Sequence, residues 1–87
     1  MACYIISYDL VKERDYEELY KAIKSYGTYA HITESTWAIV TNNKATQIKD
    51  KLQKCMDSND RIFVIRSGRE AAWNNVLCMD DWLTKNL

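Results

Sequence analysis

Ala2-Cys3-Tyr4-Ile5-Ile6-Ser7-Tyr8-Asp9-Leu10 decides how the rest of this chain is read. It holds aromatic, β-branched and aliphatic residues with no Gly or Pro, the signature of a buried strand. Apolar residues stand at both parities, Cys3 and Ile5 on one face, Tyr4, Ile6 and Tyr8 on the other. Both faces of this strand should therefore be at least partly covered. A carboxylate, Asp9, arrives as the strand runs out. Such an acid is either a turn residue or the start of a site.

Outward from that strand, Val11-Lys12-Glu13-Arg14 is a charged connection. Asp15 and Glu18 have the spacing of a capping box, so a helix is predicted over 15–26. Tyr16, Leu19, Tyr20 and Ile23 form its apolar stripe, and Gly27 closes it as a left-handed cap. The β-rich run from Thr28 to Thr41 is too long for one ordinary strand. It divides into strands at 28–33 and 36–41 with a bend near Glu34-Ser35. Asn42-Asn43 is a turn and N-cap signal before a second helix at 44–56, whose outer face carries Lys44, Lys49, Lys51 and Lys54. Asp57-Ser58-Asn59-Asp60 is a polar turn, and Arg61-Ile62-Phe63-Val64-Ile65-Arg66 is the next clear strand. Beyond Ser67-Gly68-Arg69, residues 70–76 read as a turn or edge segment. Asp80-Asp81 would cap a short terminal helix that lays Trp82 and Leu83 on the domain.

The order strand, helix, strand, strand, helix, strand is that of an α+β, ferredoxin-like βαββαβ domain with a short C-terminal extension. Two helices cover one face of its antiparallel sheet. The mixed parity of the first strand requires a cover for the other face, either a second subunit or the C-terminal tail. A single domain over 1–87 fits the length, and a homodimer is expected because so small a domain gains from added burial.

Composition narrows the function classes. Twelve basic and twelve acidic residues balance to zero, against a protein that grips duplex nucleic acid by bulk charge. Three scattered cysteines and one histidine exclude a structural zinc site and suit a reducing compartment. No secretory leader pattern or bilayer-length apolar run is present, so a cytoplasmic location is expected.

Tyr8-Asp9 ending the first strand, Tyr26-Gly27 closing the helix, Glu34-Ser35-Thr36-Trp37-Ala38-Ile39, the lysine-rich helix and Arg61-Ile62-Phe63-Val64-Ile65 follow one another in a telling order. That set resembles the small CRISPR-associated adaptation proteins of the Cas-two family. More narrowly it is similar to the group labelled SinR-like, through Ser7-Tyr8-Asp9 and a tail with tryptophan and leucine. The resemblance implies a homodimer in which Asp9 of each subunit helps to hold magnesium for phosphodiester hydrolysis of RNA or DNA. One carboxylate is a poor cage for a divalent ion, so a twofold pair would be required.

Other candidates carry bland readings beside functional ones. Ser7 is a phosphate contact or a hydroxyl satisfied by backbone. Tyr8 is a stacking platform for a base or a core residue with its hydroxyl bonded. Arg66, Ser67 and Arg69 are a phosphate-binding group or an ion-paired surface turn. First and last strands are expected not to be neighbours, which keeps Asp9 and Arg66 apart within one subunit. His31, between apolar neighbours, reads as a satisfied core or surface histidine. Trp37 reads as core, while Trp73 and Trp82 suit a docked tail or an interface. Three function classes follow: a magnesium-dependent endonuclease, a non-catalytic dimeric adaptor for nucleic acid or protein, and a small nucleotide-binding protein.

Overall fold

The computed structural model describes residues 1–11, 16–68 and 70–87. Its order is β1 (Ala2–Asp9), α1 (Glu17–Lys24), β2 (Tyr29–Thr33), β3 (Thr36–Thr41), α2 (Ala45–Gln53), β4 (Arg61–Arg66) and α3 (Asp80–Asn86). The four strands form one antiparallel sheet in the order β2-β3-β1-β4. This is the expected ferredoxin-like α+β arrangement, with β1 central.

The even residues of β1 explain where the helices go. Tyr4, Ile6 and Tyr8 join Trp37 and Ile39 of β3 in a core with Leu19 and Ile23 of α1 and Ile48 and Leu52 of α2. All six of these aliphatics, Ile6, Leu19, Ile23, Ile39, Ile48 and Leu52, are completely buried. Each stabilises the fold by roughly 1.5–3 kcal/mol relative to exposure. Gly27 has φ of +87°, and its amide donates to the Lys24 carbonyl at 3.0 Å. A side chain would strain that left-handed backbone, so glycine ends α1 as expected.

Several local expectations shift. Asp15, half of the predicted capping box, lies outside the described residues. The N-cap of α2 is Lys44 rather than an asparagine; Gln47 Oε1 accepts its backbone N–H at 2.7 Å. Asn43 instead closes the preceding turn, its amide donating to Thr41 Oγ1 at 3.2 Å. The predicted bend at Glu34-Ser35 is the turn of the β2–β3 hairpin.

One topological expectation is overturned. β1 and β4 are hydrogen-bonded neighbours, registered from Tyr4 opposite Arg66 to Asp9 opposite Arg61. The two crossovers place β3 and β4 on either side of β1, so the first strand borders both. Asp9 and Arg66 are kept apart for another reason: they stand five residues apart along the ladder, roughly 17 Å at about 3.4 Å per residue.

The face away from the two helices is covered unevenly. A row of registered residues crosses it from Ala30 through Ala38 and Ile5 to Ile65. Ala30 and Ala38 are 5% and 0% exposed, whereas Ile65 is 49% exposed. The cover over the first half is the C-terminal segment, which brings in Leu83 at 1% exposure. Leu77 N–H donates to the Ile32 carbonyl at 2.8 Å, tying the segment to β2. The predicted docking of Leu83 is thus observed, on a terminal helix that starts at Asp80 with Met79 as its N-cap. No helix among the described residues is long and apolar enough to cross a membrane.

Candidate functional site

β4 begins where β1 ends, and their antiparallel register sets Asp9 opposite Arg61. The Asp9 Oδ2 lies 3.7 Å from Arg61 Nη1, with both side chains mostly exposed, at 70% and 75%. Solvent screening makes such a pair worth at most about 1 kcal/mol. It still places a guanidinium beside the carboxylate singled out from sequence. Ser7, Asp9, Arg61 and Phe63 border a shallow depression of about 240 Å³ at this sheet end.

The depression is braced by Asp60. Its Oδ1 accepts the Val11 amide at 2.8 Å and the Tyr16 hydroxyl at 3.3 Å. Its Oδ2 accepts the Asp57 amide at 2.8 Å. One carboxylate thereby joins the exit of β1, the entrance of α1 and the turn before β4. The sequence marks Asp60 only as part of a polar turn and Arg61 only as the first residue of a strand, neither of them as a site residue. Arg61 needed the strand pairing to be recognised, while the Asp57-to-Asp60 spacing was a visible turn signal.

Tyr8 also borders this depression, but its side chain turns to the helix-covered face. Its ring is 4% exposed, so it cannot serve as the stacking platform that was one of its two readings. Trp37 Nε1–H donates to the Tyr8 hydroxyl at 3.0 Å, and that hydroxyl donates onward to the Glu34 carbonyl at 3.4 Å. Burial pushes the Tyr8 phenol up to about 12, against the opposing effect of the Trp37 hydrogen bond. The core reading describes Tyr8.

His31 stacks on Trp37 with ring centroids 4.1 Å apart and planes 8° from parallel. Its Nε2 lies 3.1 Å from the Glu34 carbonyl oxygen. A carbonyl only accepts, so Nε2 carries the proton in this contact. His31 is thus a satisfied histidine at the sheet margin.

Arg66 and Ser67 occupy the other end of the β1–β4 pair, while Arg69 lies outside the described residues. Ser67 N–H donates to the Cys3 carbonyl at 2.9 Å and continues the ladder. Burial raises the Cys3 thiol, with a Ser67 side-chain hydrogen bond acting in the opposite sense. Arg66 and Ser67 line a cavity of about 300 Å³ with Trp73 and Leu83 under the tail. The residues proposed from sequence therefore form two separate groups, Ser7 with Asp9 and Arg66 with Ser67.

A family model described as CRISPR associated protein Cas2 matches residues 1–75. The chain belongs to the Cas2 family. The match extends past β4 and stops before α3, so the fold, the Asp9 end and Arg61 lie inside it. No solved structure matches this Cas2-family chain.

Whether the Asp9 end suits the divalent ion implied by the resemblance is a question of donors. Among the described residues no group of three His, Cys, Asp or Glu side chains converges. Asp9 offers one exposed carboxylate, already beside a cation. Within one chain that set does not fit a magnesium cage, which draws on several oxygen ligands.

Proposed function

We propose that this Cas2-family protein works as a homodimeric, non-catalytic adaptor that engages nucleic-acid phosphate with the Arg61 guanidinium at the Asp9 end. The observation that carries this reading is the Asp9–Arg61 pair. It offers a fork of donors for a phosphate oxygen while leaving a lone carboxylate for any metal. Pairing of two chains is supported by the half of the sheet face that the tail leaves bare. Phe63 and Ile65 are 61% and 49% exposed there, on the same face as Ile5. A second copy seated on that stripe would bury apolar surface that a domain of this size otherwise leaves in water.

A magnesium-dependent endonuclease with one Asp9 from each subunit is the second reading. It is favoured by the exposure of Asp9 at the rim of the same face. A small nucleotide held by Arg66 and Ser67 is the third, supported by the cavity they share with Trp73.

One set of measurements separates the first two readings. The mass in solution at micromolar concentration should be that of a dimer. Binding of short RNA and DNA should weaken in Arg61→Gln, and incubation with magnesium should leave both nucleic acids intact. Magnesium-dependent cleavage that Asp9→Ala abolishes would replace the adaptor with the nuclease. A monomer mass would remove both.

A further inference from the structure

A depression of about 250 Å³ lies at the end of the β1–β4 pair away from Asp9, and Tyr4, Thr41, Lys44 and Arg66 line it. The strand register explains why they meet. Arg66 stands directly opposite Tyr4, which belongs to the helix-side core, so its side chain leaves β4 on that same face. Thr41 stands opposite Ala2, two residues before Tyr4 on β1, and so shares the face. Lys44 follows as the N-cap of α2, the helix that packs there through Ile48 and Leu52.

Three observations bear on what could sit there. The first is charge. Lys44 and Arg66 bring two cations, neither with an ion-pair partner among the described residues, and no carboxylate among those residues lines the depression. Acids and bases balance over the whole chain, so this excess is local. The second is an unused donor. Tyr4 is 8% exposed, yet its hydroxyl makes no hydrogen bond among the described residues. A phenol so far buried ordinarily has a partner. Its backbone is paired to β3 and β4 on either side, so the side chain is the part that borders the depression. The third is the setting of the other donors. Thr41 Oγ1 accepts the Asn43 amide at 3.2 Å, which leaves its own proton to donate. No acidic residue stands in the first turn of α2, so no side-chain charge offsets the positive end of its dipole.

We propose that this depression binds a phosphate dianion, the group shared by inorganic phosphate and the terminal monoester of a nucleic-acid strand. Arg66 supplies a planar fork of donors and Lys44 a point charge. Tyr4 and Thr41 add O–H donors from the sheet. A volume of about 250 Å³ is below the usual range for a whole small-molecule ligand and suits one such group. Arg66 ends its strand and so also borders the cavity beside Trp73, on the other face. The phosphate site lies five ladder positions from Asp9 and Arg61 and does not rest on the adaptor reading.

The test is a nuclear magnetic resonance titration of the full chain with inorganic phosphate, against sodium chloride at matched ionic strength. Backbone signals of Thr41, Lys44 and Arg66 should move and saturate with phosphate and not with chloride. Arg66→Gln and Lys44→Gln, both exposed changes, should each weaken phosphate roughly tenfold or more, because each removes a charge-assisted hydrogen bond. Tyr4→Phe should weaken it about two- to tenfold without lowering the urea midpoint, since the hydroxyl has no partner inside the protein. Lys85→Gln, an exposed lysine on α3, should bind phosphate as the wild type does. A short oligonucleotide with a 5′-phosphate and its 5′-hydroxyl twin identify the source. Preference for the phosphorylated strand, lost in Arg66→Gln, makes the ligand a strand end; equal affinity makes it a free small phosphate. The proposal falls if millimolar phosphate gives no saturable shift beyond that of chloride, or if Arg66→Gln, Lys44→Gln or Tyr4→Phe binds phosphate like the wild type.

Discussion

The sheet face away from the two long helices is two surfaces joined along β1. Over β2 and β3 it is floored by alanines, Ala30 and Ala38, and sealed by a tail that buries Leu83. Over β4 it presents Phe63 and Ile65 to solvent. Small residues let a helix approach closely, so the tail settles where the floor is low. Bulky residues beyond Ile5 hold a more open surface, where Ile65 borders the cavity beside Trp73 and Phe63 is 61% exposed. The difference shows how one mixed-parity strand can serve two covers. Its Ile5 row meets the tail over Ala38 and Ala30, and its β4 side is left for a second copy in the proposed dimer.

The largest test of that contrast is Leu83→Ala. Removing a side chain at 1% exposure should cost about 3 kcal/mol, read as a lower denaturation midpoint in urea. A cost near zero would mean that the tail is not the cover. Tyr8→Phe probes the helix-facing side of the same central strand. It strips the buried Trp37 indole N–H of its acceptor and should cost roughly 1–3 kcal/mol.

The same phenol sets an alkaline limit. The unfolded tyrosine loses its proton near 10, whereas burial holds the folded one up to about 12. Between those values the unfolded state binds fewer protons, so stability falls as pH rises through that window. Tyr8→Phe should flatten this slope, measured as melting temperature against pH. Tyr26 and Cys3, both raised by burial, will leave part of it in place.

On the bare half, Phe63→Asp should change the stability of an isolated subunit by no more than about 0.5 kcal/mol. It should nevertheless shift the solution mass from dimer to monomer. If it destabilises the fold as strongly as Leu83→Ala, the two halves are not different surfaces after all. Smallest of all is Asp9→Asn, where an exposed pair contributes at most about 1 kcal/mol, screened further by salt. Its thermal midpoint should fall by no more than about 4–8 °C, and by less as salt is added.

Much of this was legible from residue order. The period of Leu19 and Ile23 named a helix, Gly27 named its end, and the parity of the first strand announced a covered second face. What could not be read was pairing between distant segments. Arg61 meets Asp9 only because β4 lies next to β1, contrary to the separation expected of the first and last strands. Tyr8 and Asp9 are consecutive, yet the strand's two-residue period sends them to opposite sides.

β1 has one further consequence, which concerns the order of events when the chain is made. β1 leaves the ribosome before the other three strands yet is central, and β4 completes it, with Ser67 N–H reaching back to the Cys3 carbonyl. Its outer face then waits for Leu83, which follows all four strands. Contacts that span so much of the sequence slow folding, because loop closure must precede the burial that repays it. Until the tail is free of the ribosome, Cys3, Ile5, Ala30 and Ala38 remain an uncovered apolar strip. A nascent chain stalled before α3 should therefore be the species most prone to associate wrongly.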